Sequence, residues 1–320
     1  MRFTAKWQLK KVNIKEITRK KERCTMSQKV GISGHTHIIS LLGSPIRHSM
    51  SPATHNLSFE KLGVDSIYIV FDVKQNDLPD IIAAMKHMDG WDGSNVTMPC
   101  KQAIIPLLDD LSDSAALMGA VNVLKKEKDG RITGHNTDGM GMMQNLRNHD
   151  VQIEGSTFTL VGPGGAGSAI LVQAALDGAK KVHVFAREGG PSYNHSIDLL
   201  PRVAEKTGCE MILHAFEDEE AMKEAIAESD ILVNATPVGM GDESVESAVP
   251  AEFIKEGMVV ADAVYHPRMT KILQDAEAKG CKIVGGIGMM IEQAAAGEEI
   301  WYDVKMPTDE IVEEIFLKSK

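Results

Sequence analysis

The sequence predicts an α/β protein of two open α/β domains separated by a cleft, and three observations carry that expectation. Short runs of β-branched and apolar residues alternate with helix-spaced segments along most of the chain, the pattern of βαβ units. A length of 320 residues with 43% hydrophobic content suits a soluble globular chain of about two domains. Near the middle, Phe158-Thr-Leu-Val runs into Gly162-Pro-Gly164-Gly165-Ala166-Gly167. A segment follows in which Ala169, Val172, Ala175 and Leu176 share a helical face. Gly162, Gly164 and Gly167 occupy the G-x-G-x-x-G positions of a Rossmann unit. They serve there for a tight turn, for close backbone approach to a pyrophosphate, and for packing helix on strand. The helix amino end would face phosphates with free N–H groups and the positive end of its dipole. A merely structural turn wants the same glycines. The strand Val182-His-Val-Phe185, at βαβ spacing and ending in Arg187-Glu188 where a ribose-reading residue belongs, favours dinucleotide binding.

Taken in order, the chain opens with a basic segment over residues 1–35. Its first thirty residues hold ten Lys/Arg against two Asp/Glu; with −11 overall, the rest carries −19 and is distinctly acidic. Lys10-Lys11 and Arg19-Lys20-Lys21 would suit a nucleic-acid or targeting arm, but no apolar h-region marks a secretory signal. The segment reads as a solvated, disordered extension, with Met26 as an alternative start. The folded body begins at the strand His37-Ile-Ile-Ser-Leu-Leu-Gly43. A polar loop follows, and Pro52 stands in the first turn of a helix over 53–62. Next come a strand over 67–73, a helix capped by Asp77 and reaching 88, and the strand-like 94–97, which Pro99 breaks. A short helix is expected over 102–108. Residues 120–124 and 131–134 read as a hairpin across Asp129-Gly130, and 134–139 as a glycine-bounded loop opening a helix over 140–148. Strands over 211–213, 231–235, 258–263 and 282–284 continue the second unit. Helices near 140–148 and 287–296 should connect the domains, with a last helix over 309–317 packing on the first. The expected division is 36–139 plus 288–320 for one domain and 140–287, with the linking helices, for the Rossmann domain.

Composition narrows the function classes. Cys24, Cys100, Cys209 and Cys281 lie far apart with no C-x-x-C pair, which argues for a reducing compartment, the cytoplasm, and against a zinc site or a disulfide frame. No apolar run approaches the roughly 18 residues of a membrane span. The acidic body argues against a nucleic-acid surface, and no His/Asp cluster has metal-ligand spacing, so no metal is expected.

Ser49, Ser51, Asn95, Thr97, Lys101, Asn122 and Asp138 all fall just after strands or in the following loops, where open α/β sheets bind ligands. Each alone has a structural reading: Ser51 as a helix cap, Asn95 and Asn122 as turn formers, Lys101 as a solvated charge. Together they offer neutral hydrogen-bond groups, one ammonium and one carboxylate, which suits a polyhydroxylated ligand.

At this point the sequence resembles the shikimate dehydrogenase family, most closely its quinate/shikimate dehydrogenase branch. The matching motifs are Ser49-Met-Ser51-Pro52 with His55-Asn56, Asn95-Val-Thr97-Met-Pro99-Cys-Lys101, Gly119-Ala-Val-Asn122 and Asn136-Thr137-Asp138-Gly139. They continue through the glycine loop, Asn234-Ala-Thr-Pro-Val-Gly239-Met240, Asp262-Ala-Val-Tyr265-His-Pro267, and Gly285-Gly-Ile-Gly288-Met289 leading to Gln293. The likeness covers about residues 36–320. It implies an N-terminal substrate domain and reversible NAD(P)-dependent hydride transfer at ring carbon 3, interconverting shikimate and 3-dehydroshikimate, and quinate and 3-dehydroquinate. By the same likeness Lys101 and Asp138 are the catalytic pair. Ser49, Ser51 and Tyr265 meet the substrate carboxylate; Asn95, Asn122 and Gln293 meet ring hydroxyls; Thr97 lines the pocket. The coenzyme falls to Gly162, Gly164, Gly165, Ala166, Gly167, Arg187, Glu188, Thr236, Val238, Gly239, Met240 and Gly286.

An acidic side chain after the second Rossmann strand accepts hydrogen bonds from ribose and repels a 2′-phosphate. NADP-using members of the family carry a pair of basic residues there. This chain has Arg187-Glu188-Gly189-Gly190-Pro191 and no further Lys or Arg until Arg202, so NAD is favoured over NADP. Pro163 must stand where no N–H is required. Cys100 reads as a buried thiol and His266 as a loop residue. A related dehydrogenase on another substrate stays open, as does a homodimer. A non-catalytic quinate-binding regulator needs no acid/base pair, so Lys101 and Asp138 weigh against it.

Overall fold

The computed structural model describes residues 31–47, 49–241 and 245–318. The expected basic extension therefore lies outside the described residues, except for 31–35.

The first sheet is built from β1 (His37–Gly43), β2 (Ser66–Asp72), β3 (Trp91–Val96), β4 (Asp110–Leu111), β5 (Val123–Lys126) and β6 (Ile132–His135), in the order β2-β1-β3-β5-β6-β4. Only β5 runs against its neighbours. That reversal has a use. It brings the residue just before β5, Asn122, to the same edge of the sheet at which β3 ends: Val96 N–H donates to the Asn122 carbonyl at 2.8 Å, and Asn122 N–H to the His135 carbonyl at 2.9 Å. The helices of this unit are α1 (Ser51–Leu62), α2 (Leu78–Lys86), α3 (Cys100–Ala103) and α4 (Asp113–Met118). Trp91, Leu42, Ile104, Leu124 and Ile132 fill its core.

Helix α5 (Asp138–Asn148) leads to the second sheet, of β7 (Thr157–Val161), β8 (Lys181–Ala186), β9 (Glu210–Ala215), β10 (Ile231–Asn234), β11 (Val259–Asp262) and β12 (Lys282–Val284). Its order is β12-β11-β10-β7-β8-β9, all parallel, with the order reversing between β7 and β10 as in a Rossmann sheet. Both faces are covered, and the strands alternate with period two. Phe158, Leu160, Val182, Val184, Ile231 and Val233 enter one core, while Val161, Phe185, Leu232 and Val260 enter the other. Helices α6 (Gly165–Leu176), α7 (Pro191–Thr207), α8 (Glu219–Glu228) and α9 (Lys271–Ala278) supply the cover. Helix α6 is apolar around most of its circumference, as a fully buried helix should be.

Helix α10 (Gly286–Tyr302) is longer than the expected 287–296. It starts beside β11 and ends against the first sheet, where Trp301 Nε1 donates to the Leu124 carbonyl at 2.9 Å. It crosses α5 closely: a Cβ on Gly141 would stand 2.5 Å from the Met289 carbonyl oxygen. The last helix, α11 (Thr308–Val312) with a π turn Glu313–Leu317, buries Ile311 against Leu57 of α1 and Ile291 of α10.

Three local expectations change. Asp77 makes no side-chain cap; it ends a 3₁₀ turn, Gln75–Asp77, ahead of a shorter α2. The expected helix over 102–108 divides into α3 and a 3₁₀ turn, Ile105–Leu107, because Pro106 cannot donate the N–H that an α-helix would need there. Helix α4, unforeseen, opens with Ser112 Oγ accepting the Ala115 N–H at 3.3 Å and closes at Gly119 in the left-handed region.

Candidate active site

A cavity of about 640 Å³ lies between the edges of the two sheets at which the parallel strands end. All nine residues expected to touch substrate or reacting atoms line it: Ser49, Ser51, Asn95, Thr97, Lys101, Asn122, Asp138, Tyr265 and Gln293. Each arrives from a different local device. Ser51 is the first residue of α1 rather than its cap. The Ser49 hydroxyl accepts the Ser51 N–H at 3.2 Å, so the Ser51 hydroxyl is not spent on the helix end. Asn95 is the penultimate residue of β3. Thr97 follows that strand, with its N–H on the Leu42 carbonyl at 2.9 Å, and Gly43 permits the approach, since a Cβ there would stand 2.5 Å from Thr97 Cγ2. Lys101 sits in α3, and Asp138 opens α5.

Lys101 Nζ lies 2.6 Å from Asp138 Oδ2, with the two side chains 27% and 18% exposed. That is a charge-assisted hydrogen bond open to a ligand on one side. The other carboxylate oxygen, Oδ1, accepts from Asn122 Nδ2 at 2.8 Å. Asn122 also donates to Thr137 Oγ1 at 3.1 Å and accepts the Thr137 N–H at 2.8 Å. Both hydrogens of its amide are therefore engaged within the protein, and its effect on the cavity passes through Asp138. Asn95 accepts from the Tyr68 hydroxyl at 2.7 Å and donates to the Asn122 carbonyl at 3.1 Å. Burial raises the Tyr68 phenol far above its ordinary range, against a smaller opposing effect of its hydrogen bond with Ser51. Cys100, next to Lys101, is fully buried, and burial raises its thiol, as expected of a buried thiol.

The apolar part of the wall escaped the sequence reading. Met289, Met290 and Ala294 stand with Gly286 and Gln293 along one stripe of α10, and Met50 and Met98 close other sides. The signal was present. Gly286, Met289, Met290, Gln293 and Ala294 follow the i, i+3, i+4, i+7, i+8 spacing of a single helix face.

Of the residues expected at the coenzyme, only Gly286 lines this cavity. The others gather at the switch point of the second sheet. Gly162 follows β7 with φ +87°, and a Cβ on it would collide with Thr236 in the loop after β10. A Cβ on Gly167 would collide with the Gly162 carbonyl. Those two glycines are needed by the fold itself. Gly164 and Gly165 are not: both have ordinary φ, and a Cβ on either would meet nothing within 4 Å. Open space before a helix amino end is what a phosphate group requires. The first i to i−4 bond of α6 is Ser168 N–H to the Gly164 carbonyl, so the preceding N–H groups have no partner within the helix. The residues thus fit a dinucleotide. Ala166 lies in the same first turn. Across the crevice, fully buried Asn234 folds its loop by accepting the Thr236 N–H at 3.0 Å and donating to the Val238 carbonyl at 3.2 Å. Gly239, with φ +91°, and exposed Met240 complete that loop. Arg187 and Glu188 are exposed just beyond β8.

Comparison with known proteins places this geometry. The shikimate dehydrogenase substrate binding domain matches residues 41–124. A shikimate dehydrogenase (NADP(+)) of Listeria monocytogenes serotype 4b is 42% identical over 288 residues, 89% of this chain and 97% of that protein. A crystal structure of shikimate 5-dehydrogenase from Listeria monocytogenes in complex with shikimate and NAD, also 42% identical, superposes with a TM-score of 0.86 over 89% of this chain and 98% of that one. Quinate dehydrogenase from Corynebacterium glutamicum in complex with NAD, at 27% identity, reaches a TM-score of 0.77 over 87% of this chain and 98% of that one. By the extent of these matches, this chain belongs to the shikimate dehydrogenase family of oxidoreductases.

Proposed function

We propose that this protein reversibly oxidises shikimate at ring carbon 3 to 3-dehydroshikimate, and also takes quinate to 3-dehydroquinate. The observation that supports this most directly is the Lys101–Asp138 pair, at 2.6 Å, in a cavity otherwise lined by neutral hydrogen-bond groups and apolar side chains, methionines among them. When bound, a nicotinamide coenzyme accepts the hydride from the alcohol or supplies it to the ketone. The remaining work falls to the chain. Lys101 Nζ holds the proton that the ketone oxygen takes on reduction, and receives it back from the hydroxyl on oxidation. Asp138 orients that ammonium and accepts from a neighbouring ring hydroxyl. Ser49, Ser51 and Tyr265 bind the substrate carboxylate. Asn95 and Gln293 meet ring hydroxyls, Asn122 acts with them by fixing Asp138, and Thr97 forms the wall beside Lys101.

In this reading residues 36–139 plus 288–320 serve the substrate and 140–287 the coenzyme. NAD is the favoured coenzyme: Glu188 follows the second Rossmann strand, where an acidic side chain repels a 2′-phosphate, Arg187 has no basic neighbour before Arg202, and the Listeria structure holds NAD. NADP is the second reading, favoured by Arg187 and by the NADP(+) in the names of curated relatives.

The test is absorbance at 340 nm with purified protein, shikimate or quinate, and each coenzyme. Lys101→Ala should lower kcat by about 10² or more with a much smaller change in substrate KM. Ser51→Ala should chiefly raise KM. No turnover of shikimate by the wild type, or near-full kcat in Lys101→Ala, overturns the reading; no turnover of quinate removes that substrate alone.

A further inference from the structure

Behind the cavity wall lies a buried polar network that the reaction does not use directly. Tyr68, on β2, is 2% exposed and does not line the cavity, yet its hydroxyl donates to Asn95 Oδ1 at 2.7 Å. Its ring stacks on the His55 imidazole, with centroids 4.5 Å apart and planes at 15°. His55 in turn has Nδ1 2.8 Å from Glu298 Oε1, and Ser58 Oγ donates to Glu298 Oε2 at 2.6 Å. His55 and Glu298 are 1% and 0% exposed. A buried carboxylate is costly unless its oxygens are satisfied, and here both are.

We propose that Tyr68, stacked on a His55 that Glu298 holds in place, is a positioning residue for Asn95 in the substrate wall. The geometry of Asn95 carries the inference. With Oδ1 accepting from Tyr68 and one Nδ2 hydrogen given to the Asn122 carbonyl, the second Nδ2 hydrogen is the donor the amide has left for a ligand oxygen. The phenol thereby fixes Asn95 as a donor toward the cavity. The clamp of His55 and Glu298 also joins two parts of the wall. His55 and Ser58 share α1 with Ser51, while Glu298 shares α10 with Gln293, so one buried carboxylate ties both helices beneath the same ligand.

This rests on shikimate being the substrate, and the tests separate the two ideas. Tyr68→Phe keeps the stacked ring and removes the hydroxyl. It should raise shikimate KM about tenfold, the scale of one lost hydrogen bond. The effect on kcat should be about twofold or less, with coenzyme KM unchanged. In an Asn95→Ala background the same substitution should change KM by less than about twofold, because its partner is already gone. Glu298→Gln, of the same shape, should raise KM in the same direction by a smaller factor. A lowered Tm with unchanged KM in Tyr68→Phe, or additive effects with Asn95→Ala, would mean a structural role only and overturn the proposal. If the wild type does not turn over shikimate, the Asn95 side-chain amide resonance gives the answer without substrate. It should be sharp in the wild type and exchange-broadened in Tyr68→Phe; an unchanged resonance overturns the proposal.

Discussion

Lys101 and Asp138 meet because two short helices begin where two different strands end, and neither side chain would be notable alone. At this scale the sequence was informative about residue type and place, less so about hydrogen-bond accounting. Asn122 was expected to face a ring hydroxyl; the structure gives both of its N–H groups to Thr137 and Asp138. Ser51 had a structural reading as a cap, and the helix leaves its hydroxyl unspent. The coenzyme question also belongs here. Glu188 is exposed, so its repulsion of a 2′-phosphate is screened and is worth about 1 kcal/mol or less. Glu188→Ala should accordingly lower the NAD/NADP ratio of kcat/KM, by up to about fivefold. A wild type that prefers NADP, or a variant with the wild-type ratio, would remove Glu188 from the coenzyme site.

From the end of β7 into the first turn of α6, four glycines close in sequence do different work. Gly162 needs its positive φ, and Gly167 needs the absence of a side chain against the Gly162 carbonyl. Gly164 and Gly165 face open space. Gly167→Ala should therefore lose stability, by about 1–3 kcal/mol for the overpacking, visible as a lower denaturation midpoint. Gly165→Ala should leave that midpoint unchanged or slightly raised, since Ala favours helix, while coenzyme KM rises about tenfold or more. Equal loss of stability in both variants would contradict this division. Elsewhere, element boundaries moved where a local rule competed with the hydrophobic pattern: Pro106 split a helix, and Ser112 opened one in a stretch whose apolar residues had drawn no notice.

Across the whole molecule, stability should depend on pH through a pair remote from the cavity. His183 Nδ1 lies 2.9 Å from His214 Nε2, and His183 Nε2 lies 2.5 Å from Glu228 Oε1, at the β8–β9 edge of the second sheet. Burial holds both imidazoles below their ordinary value of 6.5; for His183 the Glu228 carboxylate opposes that shift, and for His214 the neighbouring His183 adds to it. Charging both rings would set two N–H donors against each other. Between the ordinary and the depressed values the unfolded chain binds protons that the folded one does not, so stability is full above about pH 7 and falls as pH drops through 6.5 toward the folded values. Urea midpoints from pH 7.5 to 5.5 should show that fall, and His214→Gln should flatten it; an unchanged slope in the variant would clear the pair of the effect. By itself the sequence determined the two α/β units, the glycine loop, the family, and which polar residues follow strands, because hydrophobic period, turn chemistry and short motifs are local properties of the chain. Only the tertiary structure decided that Ser49, Lys101, Asp138, Tyr265 and Gln293 share one cavity, that methionines of α10 line it, and that Glu298 is buried against His55. Those facts depend on how α5 and α10 cross and where β5 turns back, and a contact between residues 243 positions apart, such as His55 with Glu298, leaves no periodic trace in the sequence.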